Sequence, residues 1–135
     1  ENLRSHFDPS LVWAEIQSII KGHEIALNKP QGVLSLEEYE GLTVKHAFFL
    51  HHRKRLYDLF LNYETVKKKR GDYDQMDRVH KVRSMISGFQ DGTDLGLNSL
   101  DELYVDECQD LPPGLLQLLL GLVKQPDGFV MFCGD

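Results

Sequence analysis

Two short apolar runs near the end of the chain constrain its fold most. Leu103-Tyr104-Val105 and Phe129-Val130-Met131-Phe132-Cys133 are β-prone, and each runs into acidic residues, first Asp106-Glu107 and then Asp135. Between them Pro112-Pro113 opens a leucine-rich stretch from Leu115 to Val123, and Gln125-Pro126-Asp127-Gly128 reads as a turn. A strand, helix and strand in this order imply a parallel pair joined by a right-handed crossover. Parallel strands place ligand sites at their carboxyl ends, so the expected fold class is α/β with a nucleotide-type site.

The chemistry at the first strand end fits that expectation. Asp106 can hold Mg²⁺, a hard cation that prefers oxygen ligands and shares them with phosphates. Glu107 can then orient or deprotonate an attacking water. An Asp-Glu pair is also common on solvated surfaces. The order of apolar run, acids, Gln109 and Asp110 is what favours a site over a solvated turn.

Val105-Asp106-Glu107-Cys108-Gln109-Asp110 resembles the Walker B box of UvrD/Rep-type superfamily 1 helicases, whose pattern is V-D-E-x-Q-D. Phe132-Cys133-Gly134-Asp135 is similar to the start of the G-D-x-x-Q motif of that family, and the Tyr63 to Asp77 segment, YETVKKKRGDYDQMD, to a Tyr-bearing helix leading to an acidic box. Asp8 to Ile16, Ile20-Lys21-Gly22, Leu34, Ser35 and Tyr39, and Tyr57 to Phe60 look like large eukaryotic helicase-like proteins that carry tetratricopeptide and ankyrin repeats.

The resemblance implies a partial P-loop NTPase (RecA-like) core over 89–135, preceded by a mostly helical insertion over 1–88. It implies ATP and Mg²⁺ as cofactors, with Asp106 as metal ligand, Glu107 as the catalytic base, and Gln109, Asp110 and Asp135 in the nucleotide-binding set. The matching acidic box has Gln75 and Met76 in place of typical residues, so Asp74 reads as a helix cap.

Composition allows a single packed core, with 41% hydrophobic residues and nothing suggesting disorder. A net charge of −6 and a sequence pI near 5.5 argue against a generally polyanion-binding surface. The cations do gather centrally, at Lys45, Arg53, Lys54 and Arg55 and again at Lys67, Lys68, Lys69 and Arg70. A solvated helix face explains them more simply than nucleic acid does. Two cysteines, Cys108 and Cys133, make no disulfide framework and point to an intracellular setting, nuclear or cytoplasmic. No apolar run is long enough to span a bilayer, so no membrane partner is expected. His51 and His52 point about 100° apart on a helix and, with His46, make a poor ligand set.

Ahead of the strands the pattern is helical. Asp8-Pro9 signals a helix start, and Leu11, Val12, Ile16, Ile19 and Ile20 recur at helical spacing up to Gly22. Ser35-Leu36-Glu37-Glu38 matches a capping box for a helix ending near Gly41. The longest helix is expected from about His46 to Arg70, with Phe49, Leu56, Leu59, Phe60, Tyr63 and Val66 on one stripe. Another comes after it, with Met76, Val79, Val82, Met85 and Ile86 as its apolar face. A Gly/Asp/Asn/Ser loop, 88–99, then leads into the first strand, and the leucine-rich helix is expected to lie buried between layers.

This reading supports three functions. The first is a piece of an ATP-dependent helicase-like motor acting on DNA or RNA, inert by itself because no G-x-x-x-x-G-K-[ST] loop occurs. The second is a non-catalytic regulatory or scaffold module for protein interactions, with protein partners also expected through repeats outside the chain. The third is a nucleic-acid binder using the basic stretch from Lys45 to Arg70.

Overall fold

The computed structural model describes residues 7–43, 49–88, 100–124 and 127–134. The chain divides into two compact units, Glu1–Asp74 and Gln75–Asp135, so the division expected at 88/89 falls inside the second.

The regular elements among the described residues of the first unit are all helical. Helix α1, Pro9–Glu15, starts where the sequence places it: Asp8 is the cap, its carboxylate accepting the Ser10 N–H at 2.8 Å, with Pro9 in the first turn. The helix then widens into a π turn, Ile16–Ile20, in which the Lys21 N–H donates to the Ile16 carbonyl at 3.0 Å. One extra residue in a turn rotates the downstream residues by about 100° relative to a continuous α-helix, and Lys21 is the first residue to feel it. Short helices α2, Glu24–Leu27, and α3, Leu36–Gly41, come next. The capping box on α3 is complete, with the Ser35 hydroxyl accepting the Glu38 N–H at 3.2 Å and Glu38 accepting the Ser35 N–H at 2.6 Å. Lys29, 2.6 Å away, and the Ser35 amide hold the Glu38 carboxyl down at about 2.

Helix α4, Arg53–Arg70, is the spine of the unit and begins after a 3-10 turn at Leu50–His52. The expected start near His46 lies outside the described residues, and Phe49 to His52, expected in the same helix, form a turn and the 3-10 segment. Gly71 closes α4 in the left-handed conformation, φ +70°, where its N–H and that of Asp72 turn back to the Lys68 and Lys67 carbonyls. Leu56 and Phe60 of α4 join Ile16, Ile20, Leu34 and Tyr39 in one core. The buried Arg53 guanidinium donates through one terminal nitrogen to the Glu40 and Leu42 carbonyls at the end of α3, at 2.8 and 2.7 Å. The Tyr39 hydroxyl donates to Glu15 at 2.7 Å, joining α3 to α1, and burial raises the Glu15 carboxyl above its usual range.

In the second unit, α5 spans Gln75–Gly88, β1 Glu102–Val105, α6 Pro113–Leu120 and β2 Phe129–Phe132. The strands pair in parallel, Glu102 opposite Phe129 and Val105 opposite Phe132, as the strand, helix, strand order requires. The expected RecA-like P-loop core is not what forms. These two four-residue strands make the only sheet among the described residues, and the structure is otherwise helical. A parallel sheet is stable when helices cover both its faces, whereas here Tyr104, at 62% exposure, Phe129 and Met131 are open and Val105 alone is buried. The burial expected of the leucine-rich helix is corrected too, because Gly114 is its only buried residue and Leu120 is exposed. Along α5 the apolar face is buried at Met76 and Val79 but exposed at Val82 and Met85.

Candidate functional site

Four of the residues predicted to form a site, Asp106, Glu107, Gln109 and Asp110, follow one another directly after β1. Beyond β1, Asp106 and Glu107 lead into a 3-10 turn, Cys108–Asp110, that carries Gln109 and Asp110. Asp135 lies outside the described residues. The turn is held by its own parts: the Cys108 N–H donates to the Cys133 carbonyl at 2.9 Å, and the Cys133 N–H to the Val105 carbonyl at 2.8 Å. The Asp106 carboxylate accepts the Glu107 N–H at 3.0 Å, and the Glu107 carboxylate accepts the Gln109 amide at 2.5 Å. The end of the exposed Gln109 side chain packs against the Gly134 backbone, and a larger residue there would displace it.

Glu107 adopts the left-handed conformation, φ 51°, the one non-glycine residue to do so among the described residues. That conformation costs an L-residue about 1–2 kcal/mol, and glycine escapes the cost. Glu107→Gly is therefore expected to be more stable than Glu107→Ala by about 1 kcal/mol, read by urea unfolding. Equal stability of the two variants would show that the turn relaxes out of this geometry.

A different constellation, which the sequence reading missed, lies in the first unit. An apolar groove of about 570 Å³ opens between α1 and α4, lined by Phe7, Val12, Trp13, Ile16, Leu59 and Tyr63. Trp13, 44% exposed, meets Tyr63 edge to face with ring centroids 5.7 Å apart. On the other side of Tyr63 a smaller depression of about 240 Å³ continues past Val66 to Arg70 and Tyr73. Tyr63 is shared by both, so the apolar surface runs along one face of α4.

Beneath the groove wall is an ion cluster. Asp74, 7% exposed, takes the Lys21 ammonium at 2.5 Å and the Lys67 ammonium at 2.9 Å on a single oxygen, and the Tyr63 hydroxyl donates to that oxygen at 2.9 Å. Glu64 takes Lys67 at 2.6 Å and Lys21 at 3.2 Å. Each ammonium group meets carboxylates at contact distance, which is the condition for charges this far from water. Burial and the Asp74 contact push the Tyr63 hydroxyl well above the ordinary tyrosine range, so it stays a neutral donor. Asp74 stands directly before α5, and one of its carboxylate oxygens takes Lys21, Lys67 and Tyr63.

The chain is similar to TPR and ankyrin repeat-containing protein 1 of Homo sapiens, with 31% identity over 129 residues. That alignment takes in 95% of the chain and 4% of the relative, so the chain spans a small part of that protein's length. No protein-family profile matches the chain, and no solved structure matches it.

These findings overturn the helicase reading. No helicase family is matched, and the name of the relative points to repeats. The motif resemblance at Asp106, Glu107, Gln109 and Asp110 covers six consecutive positions, too few to specify a motor. No ATP-binding or DNA-binding function is supported by these comparisons. Within the basic stretch Lys67 is buried against Glu64 and Asp74 and Arg53 against backbone carbonyls, while Lys54, Arg55, Lys68, Lys69 and Arg70 are exposed, and no comparison supports nucleic-acid binding. No helix among the described residues is long and apolar enough to cross a membrane.

One signal in the sequence could have located the groove. Helix α4 carries Leu56 and Phe60 on one face and Leu59, Tyr63 and Val66 on another, more apolar surface than one core contact consumes.

Proposed function

We propose that the chain is a protein-interaction module that docks a partner through the groove between α1 and α4. The observation that carries this reading is the contiguous apolar surface from Phe7 through Trp13 and Tyr63 to Val66. Exposed apolar surface of this kind, backed by a fixed ion cluster, marks interaction sites more often than catalytic ones. The relative named for its tetratricopeptide and ankyrin repeats supports a scaffold setting.

Quantitative cross-linking tests it by comparing wild type with Leu59→Glu and Val66→Glu on one side and Asp106→Asn/Glu107→Gln on the other. Partners are expected to be lost with the groove variants and kept with the acidic-turn variant. Partners lost only with the acidic-turn variant would sink the reading.

A further inference from the structure

We infer that the groove accepts an amphipathic helix of about four turns whose ends are acidic. This deepens the proposed docking function and rests on it.

The shape of the site selects a helix. The walls are themselves helices, α1 and α4, and a third helix can lay its ridges between them. A partner strand would need a sheet edge to extend, and no strand occurs among the described residues of the first unit. The length is set by α4. Arg55 and Arg70 stand at its two ends, separated by about 22 Å at 1.5 Å per residue.

Charge selects acidic ends. At 100° per residue Arg55, Leu59, Tyr63, Val66 and Arg70 fall on one stripe of α4, apolar in the middle and cationic at both ends. Arg55 is exposed, with its guanidinium 6.0 Å from the centre of the Phe7 ring at one end of the groove. Arg70 is exposed and borders the depression at the other end, next to Lys69. Asp58 and Asp72 lie at the margins of the stripe and reduce the positive field without cancelling it. On a chain of net charge −6, a cation at each end of an apolar groove is a local departure that a matching carboxylate would exploit.

The test pans a displayed library of 16-residue amphipathic helices, their terminal positions randomised among Asp, Lys and Ser, against the whole 135-residue chain. Clones that also bind Leu59→Glu are removed. Trp13 is the sole tryptophan, so its emission reports groove occupancy in the subsequent titrations. Acidic-ended peptides should be enriched and bind about tenfold more tightly than lysine-ended counterparts at low salt. Arg55→Glu/Arg70→Glu should reverse that preference. Groove-dependent clones with no acidic bias would overturn the inference and leave docking standing. No clone that distinguishes wild type from Leu59→Glu would overturn both. Concentration-dependent dimerisation abolished by Leu59→Glu would assign the groove to a second copy and overturn the partner-helix inference.

Discussion

Asp74→Ala is expected to destabilise the first unit by about 3–5 kcal/mol, the cost of removing one partner from a buried ion pair. Lys21 is 1% exposed and Lys67 nearly as buried, and both ammonium groups contact the same Asp74 oxygen. Alanine leaves those charges in place with that carboxylate gone, and it strips the acceptor from the Tyr63 hydroxyl as well. Asp74→Asn keeps an oxygen but loses the charge, so its loss should be smaller. Urea unfolding monitored by Trp13 emission reads this unit selectively, because Trp13 lies within it. A double-mutant cycle between Lys21→Met and Asp74→Asn should return coupling of about 0.5–3 kcal/mol, since charges in direct contact do not contribute additively. Loss below about 1 kcal/mol for Asp74→Ala would mean that water reaches the cluster in solution, because solvated pairs are worth that little.

The ion cluster also shows where sequence reasoning stops. Lys67 begins a Lys-Lys-Lys-Arg run, and such runs normally describe a solvated face, which Lys68, Lys69 and Arg70 do form. Lys67 differs because Lys21 and Asp74 arrive from 46 residues before and 7 residues after it, and no local pattern encodes a non-local partner. The π turn at Ile16–Ile20 was equally invisible, since its apolar spacing reads as ordinary helix.

Local chemistry was legible: the helix start at Asp8-Pro9, the Ser35–Glu38 box and the end of α4 at Arg70 are each set by a few neighbouring residues, and the parallel pairing of β1 with β2 follows from the strand, helix, strand order. The larger fold was not. Leucines on nearly every side of α6 promised burial, but apolar composition says nothing about which element covers it. The helicase-like resemblance of Val105 to Asp110, of Phe132 to Asp135 and of the Tyr63 to Asp77 segment did not carry the family or the fold.

Neighbouring residues on α4 allow fold and docking to be separated. Phe60, 2% exposed, points into the core with Leu56 and Tyr39, whereas Leu59, about 100° away, lines the groove. Phe60→Ala is expected to cost about 3–5 kcal/mol, the transfer term plus the cavity left where the ring packs against Tyr57 at 5.4 Å. Leu59→Glu replaces a half-buried side chain at the surface and should change stability by no more than about 1 kcal/mol. Its effect belongs instead to binding, because a desolvated carboxylate in an apolar groove must be paired or hydrated. Unfolding midpoints and peptide titrations on the two variants should therefore separate, with Phe60→Ala lowering the midpoint and Leu59→Glu abolishing binding at an unchanged one. If Leu59→Glu unfolds the unit as severely as Phe60→Ala, the wall at Leu59 is part of the core. The apolar surface between α1 and α4 would then be packing for the fold itself, with no free face left for a partner helix.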